Sequence, residues 1–493
     1  MITRQRTGRP VRDDAPRVGG ASPAGPRKRA AGTAKSPRAS KTPRAPKAQA
    51  TNARAPASST PSAAARISEA VPAPRGVRAW WRRVLGGDGP RPGEPATLTY
   101  YALLLSALVL LLFGLVMVFS VQSVTVAAQG QDAVTEFLKY LVFAVVGLAG
   151  MAAIARARVR TLKRLALPAF ILACLSQLLV YVPGEGSCVG GNCNWVRVPG
   201  LGTIQPSEFI KLALCLYLGV MVTTRQDAFL PGVDTWRRFR RLAGWIVAPV
   251  LLAVALVLGG GDLGTVIVLA LLVAGALWMG GLGWRWFAAL GVLGLGGFTL
   301  LSALSANRRA RIIAWWHPDG ADPLDVGYQP KHGRWALGTG NWWGVGPGSS
   351  RQKWGYLTQA DSDYIFAVLG EEFGLIGTLI VIALFAVIGW CCMRIIRRSR
   401  SLYVSVVSGG VAAWIVGQAV INMCVVVGLL PVLGVPLPLI SKGGSALVSV
   451  LLAVGVLLAL ARHEPGAPEA LRASGAAVRR TLAVIAPRRR NRA

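Results

Sequence analysis

Apolar residues run along this 493-residue chain in long blocks, each bounded by a short polar turn. Ten blocks stand out, at roughly 98–121, 136–155, 165–183, 206–222, 243–259, 263–280, 285–304, 365–392, 402–429 and 443–461. About 20 apolar residues is the length of helix that crosses the hydrocarbon core of a bilayer. Backbone polar groups within lipid must be satisfied inside the segment, so each block is predicted to be a helix. The alternation expected of barrel strands is absent. The fifth and sixth blocks lie so close together that they are easily read as one.

One stretch breaks the pattern. Between Ser305 and Asp363 the chain turns polar, with six tryptophans (Trp315, Trp316, Trp335, Trp342, Trp343 and Trp354) and a glycine-rich run from Trp342 to Gly348. A long loop with no evident secondary structure of its own is usually functional or disordered, and its aromatic content argues against disorder. This segment is the expected workplace.

Basic residues orient the blocks. Arg156, Arg158, Arg160, Lys163 and Arg164 follow the second; Arg225 and the Arg237–Arg241 cluster follow the fourth; Arg394, Arg397, Arg398 and Arg400 follow the eighth. The turns at 122–136, 260–262 and 430–441 carry no Lys or Arg. The positive-inside rule therefore places both termini in the cytoplasm and the 305–364 loop, between helices seven and eight, outside. The predicted fold class is an all-α polytopic membrane protein of ten helices spanning 97–462. That loop holds seven Lys/Arg against five Asp, which suits either a bound anion or a solvated surface.

Composition separates the ends from the middle. Residues 1–96 are rich in Ala, Pro, Ser and Arg, a composition that cannot bury a core; they are read as a disordered basic cytoplasmic tail, and 463–493 as a second, shorter one. Such a tail suits the anionic cytoplasmic leaflet or a cytoplasmic protein rather than nucleic acid, or it is simply solvated. No cleavable signal peptide is visible. The seven cysteines form no metal pattern. Five sit in apolar blocks as packing residues, while Cys188 and Cys193 lie on the outer side, where a disulfide survives.

Ionisable groups within or against membrane spans are costly and are read first as functional. Glu208 and Lys211 share a helical face at the start of the fourth block, as a working pair or as self-neutralising charges. Asp262 opens the sixth block, where a helix N-cap is its plainer duty. Asp361 and Asp363 precede the eighth block, placed for a general base or a divalent cation, or for capping alone. After Asn422, three prolines and repeated glycines cannot continue a helix, and irregular backbone at that depth must be buried in protein or line a wet cavity. These residues leave a transporter and a membrane-embedded transferase equally open.

The run Asn422, Gly428 to Pro431, Gly434-Val435 and Ser441 to Ala446 resembles the signature of the SEDS family of shape, elongation, division and sporulation proteins. Gln205-Pro206-Ser207-Glu208 with Lys211, Asp262 to Thr265, Gly327-Tyr328-Gln329, Gln352-Lys353 and Asp363 to Glu372 resemble its other motifs in order, over about 98–462. The loop is most similar to the division-type branch. The resemblance implies a peptidoglycan glycosyltransferase of the cytoplasmic membrane, working at the division septum, with a role in elongation as the alternative. It would polymerise lipid II onto an undecaprenyl-linked glycan on the outer face and release undecaprenyl diphosphate. It implies Asp363 as the catalytic residue, and Trp195, Arg197, Glu208, Lys211, Asp262, Arg311, Gln329, Lys353, Ser441 and Ser445 as substrate-binding. Lys211, Arg311 and Lys353 are the candidates for the diphosphate. It implies no organic cofactor, a divalent cation (Mg or Mn) on Asp363 and Asp361, and as partners an FtsI-type class B penicillin-binding protein and other division proteins. A lipid II flippase and an inactive scaffold are the alternatives.

The chain departs from the family pattern just ahead of Asp363. Gln359 stands for a Glu and Asp361 for a His, while Lys442 stands where Tyr, Ser or Ala is usual.

Overall fold

The computed structural model describes residues 97–127, 130, 132–189, 192–200, 202–229, 234–318, 326–471 and 473. The basic tail 1–96, most of the second tail and residues 319–325 of the long loop lie outside the described residues.

Helices occupy all ten predicted positions. They are α1 (Leu98–Thr125), α2 (Ala133–Ala155), α3 (Val159–Leu178), α4 (Ser207–Thr224), then a fifth segment in which α5 (Thr235–Leu242) runs through one wide turn into α6 (Ala248–Gly259), followed by α7 (Leu263–Met279) and α8 (Trp284–Ala303). After the long loop, with its own α9 (Ala306–Trp316) and α10 (Tyr328–Gly340), come α11 (Ile365–Arg398), α12 (Leu402–Val426) and α13 (Gly444–Ala461). Eight of the described helical segments are long and apolar enough to cross a membrane, while α7 is apolar but shorter.

Two expectations change. The chain is not wholly helical: the loop after α3 folds as a three-stranded antiparallel sheet, β1 (Gly186–Val189), β2 (Asn192–Val198) and β3 (Gly202–Ile204). Cys188 and Cys193 form a disulfide in its first hairpin. The long loop also has secondary structure of its own, since α9 and α10 occupy much of it.

The core lies around α13 and α4, which are buried on nearly all sides, whereas α8 shows Val292, Leu293, Leu295 and Leu300 at its surface. Helices α7 and α12 cross where Gly275 meets Gly409; a Cβ on Gly275 would lie 2.7 Å from the Gly409 carbonyl oxygen. Small residues at such a crossing let backbones approach closely, which is how helices associate in lipid.

Helix α11 is broken at Gly374, whose φ of 66° is left-handed. The break frees backbone groups that must be satisfied in a membrane core. The glycine-rich run supplies partners: Leu375 N donates to Asn341 O, Ile376 N to Trp342 O, Val345 N to Glu371 O and Gly346 N to Glu372 O, at 2.8–3.3 Å. Gly344 must be glycine there, because a Cβ would stand 2.1 Å from Glu372 O. The run therefore acts as a backbone plug for α11.

Charged clusters mark the two ends of α1. At its start Thr99 Oγ1 donates to Glu464 Oε2 (3.1 Å), accepts from Arg394 Nε (3.0 Å), and Arg398 lies 3.6 Å from Glu464. Near its other end Ser120 Oγ donates to Glu372 Oε1 at 2.7 Å, and Lys353 Nζ bridges both at 2.9 and 3.0 Å. The site described next lies at this second end, away from the basic turns.

Candidate active site

A cavity of about 800 Å³ opens where α1, α2, α4, α7, α9, the 427–443 turn and the segment before α11 converge. Of the residues expected at a site, Trp195, Glu208, Asp262, Arg311, Gln329, Asp361, Asp363 and Ser445 line it together. Arg197, Lys211, Lys353 and Ser441 are not on its wall.

Asp363 is held by its backbone. Three successive carbonyls, of Asp361, Ser362 and Asp363, accept hydrogen bonds from Lys442 N (2.7 Å), Ser441 Oγ (2.7 Å) and Asn422 Nδ2 (2.7 Å). Asn422 Nδ2 also donates to Val435 O at 2.8 Å, and Ser441 Oγ accepts from Leu437 N at 2.7 Å. The Asn and Ser of the C-terminal signature thus clamp the aspartate segment to the irregular turn. On the other side, Gly434 with φ 70° stands close enough that a Cβ would be 3.5 Å from Asp363 Oδ2. A Cβ there would make ordinary van der Waals contact with the carboxylate, and the positive φ is what favours glycine.

Five carboxylates line the cavity, and four are engaged. Glu136 pairs with Lys139. Glu208, fully buried, takes Lys211 Nζ at 2.7 Å and Ser449 Oγ at 3.2 Å. Asp262 caps α7, accepting from Thr265 N (2.8 Å) and Thr265 Oγ1 (2.7 Å), and also from Gln205 Nε2 (2.8 Å). Asp361 pairs with Lys442 Nζ at 2.9 Å. Among the described residues, no hydrogen-bond donor reaches the carboxylate of Asp363. Burial pushes that carboxyl up to about 6, with Arg311 opposing and Asp262 and Asp361 adding to the rise; desolvation disfavours the charged form, and like charges do the same.

The cationic wall comes from α9. Arg308, Arg311 and Ile312 share one face of that helix and line the cavity, and Trp315 falls on the same stripe. Arg308 donates to Gly261 O at 2.7 Å and Trp315 Nε1 to Gly428 O at 3.0 Å, so both ends of the stripe are tied down. Arg311, between them, has no hydrogen-bond partner among the described residues and acts electrostatically on Asp363. Gln122 and Ser302 also line the cavity, and each keeps a buried oxygen without a protein partner. Buried polar atoms are nearly always hydrogen-bonded, so water or a polar ligand in the cavity would satisfy these two.

The remaining expected residues have other settings. Lys211 lies beneath the cavity on Glu208, 3.2 Å from Gln418 Oε1 and over the Trp414 ring. Lys353 is fully buried with Glu372 beside the α11 plug. Arg197 is exposed on β2, and Gln329 donates to Thr358 O at 3.0 Å. Ser445 accepts from Gln205 N at 3.0 Å, linking α13 to the start of α4. Sequence reading missed Arg308, Gln122, Glu136, Lys139 and Lys442 as cavity residues. Arg308 was accessible through the 308–311–315 helical spacing and Lys442 stood out only as a departure from the family pattern; Gln122, Glu136 and Lys139 carry no local signal.

Among the described residues no three His, Cys, Asp or Glu side chains converge on one ion, and Asp361 is already engaged by an ammonium group.

Fold and site together define a helical multi-pass membrane protein with a carboxylate-lined polar cavity at one end of its bundle. Residues 101–465 match the family described as cell cycle protein, FtsW/RodA/SpoVE. The chain is 34% identical over 381 residues to the probable peptidoglycan glycosyltransferase FtsW of Mycobacterium bovis, covering 77% of this chain and 71% of that one. It is 35% identical over 363 residues to stage V sporulation protein E of Bacillus subtilis, covering 73% and 96%. Among solved structures it is similar, with TM-score 0.60 and 25% identity over 74% of this chain and 98% of the other, to a component of a peptidoglycan synthase complex described as coordinating polymerization and crosslinking. The chain belongs to the FtsW/RodA/SpoVE family.

Proposed function

We propose that this chain is a peptidoglycan glycosyltransferase that polymerises lipid II, with Asp363 as general base. The observation that carries the reading is the state of Asp363. Among the described residues it is the one cavity carboxylate that no donor engages, and it is half-buried, backed by glycine and faced by an arginine. In the step, the acceptor sugar hydroxyl gives its proton to Asp363 while its oxygen bonds to the anomeric carbon of the donor chain. The bond from that carbon to the diphosphate oxygen breaks, and undecaprenyl diphosphate leaves with the electron pair. Arg311 is placed to take the growing negative charge on the diphosphate. A positioned base contributes about 10²–10⁴-fold, and the rest comes from orientation and charge stabilisation.

The names of the relatives support the reaction, and the polymerization-and-crosslinking complex supports a crosslinking partner such as a class B penicillin-binding protein. Read as ten crossings with cytoplasmic termini, the chain would carry the cavity on the outer face, because the cavity lies at the bundle end away from the basic turns. Similarity to FtsW supports work at the division septum. Purified chain, with a cognate crosslinking partner and lipid II, tests the reading: glycan polymer is expected. Lipid II crossing vesicles without polymer would make it a transporter, and partner binding with neither would make it a scaffold.

A further inference from the structure

Two of the family departures noted above, Asp361 in place of His and Lys442 in place of Tyr, Ser or Ala, meet in space. Lys442 Nζ lies 2.9 Å from Asp361 Oδ2, and the backbone N of Lys442 donates to Asp361 O at 2.7 Å. One residue grips the other at two points, through side chain and main chain. Both line the cavity, and Asp361 is within electrostatic reach of Asp363. An acidic residue two positions from the proposed base, left alone, would repel it or recruit a cation from solution. The ammonium group, a compact charge with three donors, opposes both without a ligand from outside.

We infer that Lys442 is a positioning residue for Asp363: it neutralises Asp361 from within the chain and fixes the 361–363 segment, so that Asp361 is not a ligand for a divalent cation. The inference deepens the glycosyltransferase reading and rests on it for its kinetic consequence alone. Without Lys442, Asp361 and Asp363 become neighbouring unpaired carboxylates, the hard oxygen donors that Mg and Mn favour.

The test uses the full chain with its crosslinking partner in nanodiscs, and reads Mn²⁺ binding by electron paramagnetic resonance in the absence of lipid substrate. The wild type is expected to show no site that depends on Asp361. Lys442→Met gains a site, adding Asp361→Asn removes it again, and Lys442→Arg shows none. In polymerisation, Lys442→Met lowers kcat on the order of tenfold with KM little changed, as a displaced base does. Lys442→Arg and the Lys442→Met/Asp361→Asn double variant each recover much of the loss. The inference is overturned if wild-type protein binds Mn²⁺ at a site that Asp361→Asn abolishes, or if Lys442→Met equals wild type in both measurements. Should Lys442→Met not fold, Asp361→Asn alone decides, because unchanged Mn²⁺ binding supports the inference and loss of a site overturns it. A wild-type chain that makes no glycan overturns the glycosyltransferase reading, and the Mn²⁺ arm then judges Lys442 by itself.

Discussion

Asn422 is the most informative residue to perturb, because its amide joins the signature turn to the catalytic segment. Its Nδ2 donates at 2.7 Å to Asp363 O and at 2.8 Å to Val435 O, and the side chain is buried. Asn422→Ala removes both donors. A buried carbonyl left without a partner costs about 1–3 kcal/mol; that of Val435 is buried, and that of Asp363 is partly so. Asn422 Oδ1 is itself buried with no partner among the described residues, so deleting it returns part of that cost. The balance is a destabilisation of roughly 2–4 kcal/mol. The loss falls on the carbonyl of Asp363, so the base is expected to shift as well, and a displacement of about 1 Å can cost about 10²-fold in rate. Thermal melting in detergent and lipid II polymerisation measure the two effects. Asn422→Asp keeps the shape but not the donor, and is expected to be at least as damaging in both. Wild-type melting and wild-type rate in Asn422→Ala would refute the clamp.

Polymerisation should rise through about pH 6, where Asp363 loses its proton, because a general base works only when ionised. Arg311→Met takes away the charge that favours the ionised form, so the rising limb moves to higher pH; initial rates across pH test both. Lys353→Met leaves Glu372 buried and unpaired beside the α11 plug, at a cost of about 3–5 kcal/mol. Its melting temperature should fall, and adding Glu372→Gln should return part of the loss.

The ten helical positions were legible because apolar length is a strong signal and lipid permits little besides helix. The sheet after α3 was not, since its short strands carry no long alternation. The loop hid α9 because Arg308, Arg309 and Arg311 obscure an amphipathic stripe that becomes visible only when the cavity gives it a face. Asp363 stood out by its place ahead of α11. Its surroundings did not: Lys442 is 79 positions away from it in sequence, and the bonds from Ser441 and Asn422 join segments that only the fold brings together. The resemblance offered Lys211 and Lys353 as candidates for the diphosphate, and the fold sets each against a buried carboxylate. Charge type is visible in a sequence; which charges are already neutralised is not.

The central claim is that Asp363 takes the proton from the attacking hydroxyl. Asp363→Asn keeps the size and the backbone clamp while removing the basic oxygen, so the fold is expected to survive. The decisive measurement is the rate of glycan formation from lipid II by this variant beside wild type, with melting temperature as the control. A fall of at least about 10²-fold at unchanged melting temperature is what a lost general base predicts. A polymerisation rate equal to wild type would contradict the account.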